Sequence, residues 1–165
     1  MIVLGVDPGV ANTGYGVVSG GGRGLAAVQY GVIETHKSVE LPQRLQEIHL
    51  DVLQLIDRCA PDAVAVEDLY FGQNVATAMA VGQARGVLLL AAAQRNLPVR
   101  SYTPQQVKGA VCGSGRADKR QVAFMVARLL GLGAPPKPDH AADALAVAIC
   151  DLNRAPLQAA IAGLR

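Results

Sequence analysis

Three apolar runs near the start of the chain predict strands. The first predicted strand, Met1–Asp7, is continuously apolar until it reaches an acid and then a Pro-Gly turn. Such a run bounded by turn residues is typical of a buried strand. Gly14–Val18 and Ala26–Thr35 predict the second and third strands, with a cluster of three glycines between them. Because both connections are short, the three strands are expected to form an antiparallel meander.

The spacing then changes to that of a helix. Between Pro42 and Arg58, apolar residues recur every three or four positions with charges between them, which indicates an amphipathic helix. Ala63–Val66 is a fourth apolar run, and like the first it stops at an acid, Glu67. Because a helix separates this run from the meander, it is expected to lie parallel to one of the earlier strands.

A second helix is predicted over Val75–Arg95, where Arg85 is the only interior charge. A helix that is apolar on all sides needs cover on more than one side. The sheet would cover one side, and a partner subunit or another element of the same chain would cover the other.

One more strand and three helices complete the prediction. The final helix is rich in alanine, and no repeat, low-complexity tract or linker interrupts the chain. The expectation is therefore a single α/β domain over residues 1–165, with a five-stranded mixed sheet flanked by helices. The remaining predicted elements are the strand Leu97–Tyr102 and helices over 104–111, 118–130 and 139–152.

Composition adds limits on the class of protein. Hydrophobic residues make up 51% of the chain, which argues against disorder. Cys59, Cys112 and Cys150 are widely spaced and are expected to be reduced, mostly buried thiols of a cytoplasmic protein. The start of the chain has no secretory pattern, and its longest apolar stretch, Gly86–Ala93, is too short to span a bilayer.

Charge is distributed unevenly along the chain. Residues 1–94 carry five Lys/Arg against nine Asp/Glu, whereas residues 95–128 carry seven against one. An acidic half followed by a basic segment suits a carboxylate metal site beside a polyanion. Chance clustering of surface charge is the alternative explanation.

The two strands that end in acids suggest a metal site. If those strands are parallel neighbours, Asp7 and Glu67 lie at one edge of the sheet, where ligands of open α/β sheets commonly bind. Two carboxylates at such a short distance repel each other, and a cation between them would allow both to stay ionised. Mg²⁺, or Mn²⁺ as a substitute, is the expected cation because hard cations prefer oxygen ligands.

The segment that opens the last helix supplies further candidates. His140 and Asp143 are three positions apart and share one face of the helix. Asp143 precedes an apolar stretch, where an acid needs a partner. A structural histidine is the competing interpretation for His140, and helix capping is favoured for Asp139. Asp68, next to Glu67, is expected to point to the opposite side of its strand.

Four ligands around two metal ions suit phosphodiester hydrolysis. One ion would deliver hydroxide, and the other would stabilise the leaving 3′-oxygen. No Walker A loop, Ser-His-Asp set or GxSxG elbow offers a rival chemistry.

Several segments together resemble one family. They run in order from Met1 to about Leu152, and the set is highly specific although no single motif is. The resemblance is to RuvC, the bacterial Holliday-junction resolvases. The segments are Val6–Gly9, Thr13–Gly16, the acid at Glu67, Gly82–Gly86, Gln106–Lys108 and Asp139–Ala146.

The resemblance implies a ribonuclease-H-like fold and Mg²⁺-dependent nicking of two opposed strands of a four-way junction. It also implies partnership with the branch-migration proteins RuvA and RuvB, and a homodimer formed through helix 75–95. The family's catalytic acids fall on Asp7, Glu67 and Asp143, and its fourth position falls on His140, either as a ligand or as a base. The implied DNA contacts are Lys108 and Lys119, with Tyr70 or its neighbour Phe71 as the stacking aromatic; the basic segment adds Arg116 and Arg120.

Three other functions remain open at this point. One is a related nuclease that acts on RNA or on simple DNA ends. Another is a sugar-kinase-like phosphotransferase, although 165 residues leave no room for the two domains of that class. The third is a junction-binding protein without catalysis, which the retention of Asp7, Glu67 and Asp143 disfavours.

Overall fold

A mixed five-stranded sheet forms the centre of the fold in a computed structural model, which describes residues 1–22, 24–68 and 75–162, with side chains as far as residue 154. The strand order is β3-β2-β1-β4-β5. The first three strands are antiparallel, and β4 and β5 continue the sheet in parallel with β1. The strands are β1 (Ile2–Asp7), β2 (Asn12–Gly21), β3 (Gly24–Glu34), β4 (Ala63–Glu67) and β5 (Val99–Tyr102).

Helices cover both faces of this sheet. Two of them pack on one face, where Leu4 and Val66 contribute to the core. The other three pack on the opposite face, around Val3 and Ala65. The helices are α1 (Leu41–Cys59) and α2 (Val75–Gln94) on the first face, and α3 (Pro104–Cys112), α4 (Lys119–Leu129) and α5 (Asp139–Ala162) on the second.

The predicted type and order of the elements are confirmed, but several boundaries are wrong. The second strand extends from Asn12 to Gly21 rather than from Gly14 to Val18. The last strand begins at Val99 rather than Leu97. Asn96 takes a left-handed conformation, and the Leu97 N–H donates to the Ala92 carbonyl at 3.0 Å, so Leu97 belongs to the end of the preceding helix. The last helix continues to Ala162 rather than ending at Leu152.

Glycines in the sheet allow α5 to lie directly against it. A Cβ at Gly5 would overlap the Ala144 carbonyl oxygen, and a Cβ at Gly14 would overlap the carbonyl oxygen of His140. These positions therefore require glycine for close approach of the helix backbone rather than for a special turn. The N-terminal turn of α5 consequently lies against Gly14 of β2, which is paired with Asp7 at the end of β1.

A buried ionic network holds the middle of α5 to the edge strand. Asp151 is fully buried, and its carboxylate accepts from Arg100 Nε at 2.5 Å and Nη2 at 2.7 Å. The hydroxyl of Tyr102 donates to the same carboxylate at 2.8 Å. Removing one partner from such a pair costs about 3–5 kcal/mol, because the other charge stays buried. The network thus fixes the position of α5 along β5.

One side of α2 is covered and the other is not. Ala84, Leu88 and Ala92 are buried against α1 and the sheet. Within the described part of the chain, nothing covers the stripe that includes Met79 and Leu90, which are 62% and 53% exposed. Among the described helices, α2 alone could cross a membrane by length and composition, a test that core helices of soluble proteins also pass.

The three cysteines are free thiols. The expectation that most of them are buried is wrong, because only Cys150 is buried, whereas Cys59 and Cys112 are partly exposed.

Candidate active site

Asp7 and Glu67 lie side by side at one edge of the sheet. They end β1 and β4, which are parallel and pair Val6 with Val66 immediately before the two acids. Since side chains alternate along a strand, both acids point to the face covered by α5. The expected convergence of the two strand ends is therefore present.

The first turn of α5 brings His140 to Asp7. His140 Nδ1 lies 2.7 Å from Asp7 Oδ2, and since an ionised carboxylate can only accept, the proton of this bond is assigned to Nδ1. This bond leaves Nε2 as the second ring nitrogen, free to accept a proton or to bind a cation. The imidazole is 44% exposed and the Asp7 side chain is 20% exposed, so the pair sits where solvent meets the protein interior.

Asp143 lies one helical turn further along α5 and pairs with a lysine. Lys119 Nζ is 3.2 Å from Asp143 Oδ2, and Asp143 is the main cause of a raised pKa for Lys119. Lys119 is the first residue of α4, where Asp118 caps the helix by accepting from the Gln121 N–H. The capped start of α4 thus places a cation beside the acids.

The acids disfavour one another's ionisation. Burial, followed by the charges of Asp7 and Asp143, raises the pKa of Glu67 from its ordinary 4.5 to about 7. Burial also raises the pKa of Asp7, partly offset by the hydrogen bond from His140. Positive charge placed among the acids would therefore favour the ionised forms of Asp7 and Glu67.

The carboxylates of the site suit a divalent cation by their chemistry. Among the described residues, no three His, Cys, Asp or Glu side chains are already placed around one point. Asp7 and Asp143 instead have His140 and Lys119 as partners. Carboxylate oxygens with unfavourable mutual repulsion are the groups that Mg²⁺ or Mn²⁺ stabilises.

Glu67→Gln is expected to stabilise the metal-free protein at pH 8. Between pH 4.5 and about 7, the folded chain retains a proton that the unfolded chain releases. The free energy of unfolding of the wild type therefore falls as pH rises through this window. Glutamine removes that loss, which is on the order of 2 kcal/mol after allowance for solvent screening. Urea unfolding in EDTA at pH 4.5 and pH 8 measures the difference.

The exposed Glu47 of α1 provides the matched control, since Glu47→Gln should leave stability unchanged at both pH values. Equal stability of the wild type and Glu67→Gln at pH 8 would contradict the raised pKa.

A cleft of about 910 Å³ opens over the acids. Lys108 and Lys119 line it, as do Leu41 of α1 and Thr77 of α2. Since α1 and α2 lie on one face of the sheet and α3 to α5 on the other, the cleft crosses the sheet edge with Asp7 at its floor.

The other predicted DNA contacts lie elsewhere. Arg120 lines a neighbouring depression beside α4 that also reaches Asp143, and Arg116 lines a separate shallow one. The structure does not bring either side chain into the main cleft. Tyr70 and Phe71 lie outside the described residues. Asp68 points away from the acids, as expected, and is 3.6 Å from Arg85 of α2.

Two features of the site were not predicted. Arg44 of α1 lines the cleft, and the amphipathic pattern of α1 gives no signal that separates it from other surface charges. Gly14 is the residue of β2 on which the start of α5 packs. The sequence feature that could have indicated this contact is the glycine spacing in Thr13–Gly16.

The fold and the acids define a class. A mixed sheet in the order β3-β2-β1-β4-β5, with carboxylates at the ends of two central strands and on a helix packed against them, is a ribonuclease-H-like nuclease domain.

The comparisons with known proteins narrow the class to a family. The model of the RuvC family, "Crossover junction endodeoxyribonuclease RuvC", matches residues 3–151. A protein of that name from Alkaliphilus metalliredigens is 50% identical over 158 residues, covering 96% of each chain. The chain belongs to the RuvC family of crossover junction endodeoxyribonucleases.

Solved structures agree with this assignment. The Thermus thermophilus RuvC structure superposes with a TM-score of 0.89 at 39% identity, covering 96% of this chain and 97% of that one. Thermus thermophilus RuvC in complex with a Holliday junction substrate gives 0.88 at 37% identity, covering 95% and 96%.

Proposed function

We propose that this protein resolves four-way DNA junctions by paired nicks in two opposed strands during recombination and repair. The observation that carries the proposal is the convergence of Asp7, Glu67 and Asp143 in a cleft bordered by lysines. Membership of a junction endonuclease family, and a relative solved with a Holliday junction substrate, support the choice of substrate.

The three acids are assigned to hold Mg²⁺, with Mn²⁺ as a substitute and two ions per site. Bound there, the metal would supply an activated water and stabilise the leaving oxygen of the phosphodiester. The chain's own contribution is to hold three carboxylates close together on two strands and a helix. The raised pKa of Glu67 supports this assignment, because a bound cation would offset the repulsion among the acids and lower that pKa again.

His140 is assigned to proton transfer. Asp7 accepts from its Nδ1–H, which orients the ring and leaves Nε2 to accept a proton from the attacking water. An aspartate at this position would provide a ligand but no imidazole nitrogen to take up that proton.

A homodimer through α2 is assigned because paired nicks need two sites at a constant separation. The uncovered stripe of α2, with Met79 and Leu90 exposed, is the surface that a second copy would bury. By family resemblance, we expect the protein to act in the cytoplasm together with the branch-migration proteins RuvA and RuvB.

Lys119 and Lys108 are assigned to phosphates of the bound strand. Lys119→Ala is expected to reduce cutting about tenfold to a hundredfold, because a charge-assisted contact next to Asp143 is lost. Single-turnover cutting of a labelled junction at several salt concentrations measures this, and the salt dependence should also become shallower.

Lys119→Arg should restore part of the rate, since the charge returns. Arg58→Ala, at the exposed far end of α1, should change nothing. An unchanged rate and an unchanged salt dependence in Lys119→Ala would remove Lys119 from the DNA surface.

A comparison of substrates tests the function itself. The protein is incubated with a mobile four-way junction, with linear duplex of the same sequence and with an RNA–DNA hybrid, in Mg²⁺, Mn²⁺ or EDTA. Symmetric nicked duplexes from the junction alone, and none in EDTA, are expected. Equal cutting of linear duplex or hybrid would indicate a general nuclease, and junction binding without cutting would indicate a binding protein.

A further inference from the structure

Arg44 lies in the first part of α1 and borders the catalytic cleft. The helix packs on the face of the sheet opposite to α3 and α4, which carry Lys108 and Lys119. Arg44 and the two lysines therefore flank the acids from opposite sides.

One hydrogen bond orients the Arg44 side chain, and a second fixes the hydroxyl that accepts it. Its Nε–H donates to the Thr35 hydroxyl at 2.8 Å. The hydroxyl in turn donates to the Val10 carbonyl oxygen at 2.6 Å, and Thr35 is only 9% exposed. Because its single proton is directed at Val10, Thr35 can only accept from Arg44. The chain of bonds thus connects Arg44 to the loop that directly follows Asp7.

The charge of Arg44 has no carboxylate partner among the described residues, where no ion pair within 4.0 Å includes it. Three other arginines do pair, Arg85 with Asp68, Arg95 with Asp57 and Arg100 with Asp151. Among the described residues, no hydrogen bond other than that of Nε engages the Arg44 guanidinium. A guanidinium held in this way presents its terminal N–H groups as a fork suited to phosphate.

We propose that Arg44 binds a backbone phosphate of the DNA strand that crosses the cleft, on the side away from Lys108 and Lys119. This inference rests on the proposed function and adds a residue to its DNA surface. Through Thr35 and Val10, the contact sets the position of that phosphate relative to Asp7. Arg44 is thereby a substrate-binding residue that also positions the scissile strand.

The test measures binding of a fluorescent four-way junction, in EDTA, by anisotropy over a range of salt concentrations. Arg44→Gln is expected to weaken binding about tenfold at low salt, through loss of a charge-assisted contact. The slope of log affinity against log salt is expected to become shallower by about 0.7–0.9, which corresponds to one phosphate. Arg44→Lys should keep the wild-type slope but cut the junction more slowly, since lysine lacks the Nε–H that bonds Thr35.

Arg58→Gln, the same change at the exposed far end of the same helix, is the matched control and should match the wild type. An Arg44→Gln protein with the affinity and slope of this control would overturn the inference. Weaker binding with an unchanged slope in both Arg44 variants would also overturn it, because Arg44 would then act only through Thr35.

The same titration on linear duplex separates this inference from the proposed function. A wild-type protein that cuts no junction would defeat the proposed function. A shallower slope for Arg44→Gln on duplex would still support the phosphate contact in that case. Junction cutting by the wild type with no effect of Arg44→Gln on either DNA would defeat the Arg44 inference alone.

Discussion

Asp7→Asn is expected to reduce junction cutting by at least about a thousandfold while junction binding persists. Asparagine preserves the size of the side chain but removes the charge that a cation needs, and a loss of about 4 kcal/mol in stabilisation of the transition state corresponds to this factor. Binding should persist because the lysines of the cleft are untouched and one negative charge that repels phosphate is gone. Single-turnover cutting in Mg²⁺ and anisotropy in EDTA measure the two properties separately.

Asp51→Asn provides the control for this change, since Asp51 lies on α1 and outside the cleft. It should cut at the wild-type rate. A rate for Asp7→Asn within tenfold of the wild type would remove Asp7 from the catalytic site. Loss of binding together with loss of cutting would instead indicate that Asp7 supports the structure of the cleft.

Leu90→Glu is expected to weaken the proposed dimer at least about a hundredfold. Each subunit would place a carboxylate in the apolar stripe of α2, and the two-fold axis would bring in a second copy of it. Burying such charges without partners costs several kcal/mol. Sedimentation equilibrium at micromolar protein should then show monomers. Cutting of the two junction strands should become independent, with single nicks accumulating.

Leu50→Glu is a closely matched control, because Leu50 is a leucine of α1 that is 49% exposed, against 53% for Leu90. It should remain dimeric. A wild type that is monomeric at all concentrations, or a Leu90→Glu protein as dimeric as Leu50→Glu, would contradict the dimer. Partition of the wild type into lipid vesicles would favour a membrane role for α2.

Local patterns were sufficient to predict the sheet and the two strand acids. Continuous apolar runs that end at Asp7 and Glu67 predicted two buried strands, and the helix between them predicted the parallel pairing that β1 and β4 show. The sequence spacing of His140 and Asp143 likewise predicted a shared helix face. These features depend on periodicity and connection length, which are visible without any three-dimensional information.

Other features depend on contacts between distant segments. The hydrogen bonds from Arg44 to Thr35 and from His140 to Asp7 arise only when helices dock on the sheet, and no local pattern contains them. Asp151 was expected only as part of an alanine-rich helix, because its partners Arg100 and Tyr102 lie on a separate strand. Leu97 was assigned to a strand because the left-handed turn at Asn96 that ends the preceding helix is not visible in the local pattern.

The pairing of Asp7 with His140 joins positions 133 residues apart, which has a consequence for the timing of synthesis. A growing chain reaches the second residue only after most of the sheet has left the ribosome, about 7 to 27 seconds after Asp7 at about 5–20 residues per second. Until then, α5 can neither cover Asp7 and Glu67 nor bring His140 and Asp143 to them. If these residues form the proposed nuclease site, the site is complete only when nearly the whole chain has been made, and a chain that stops before His140 would not cut DNA.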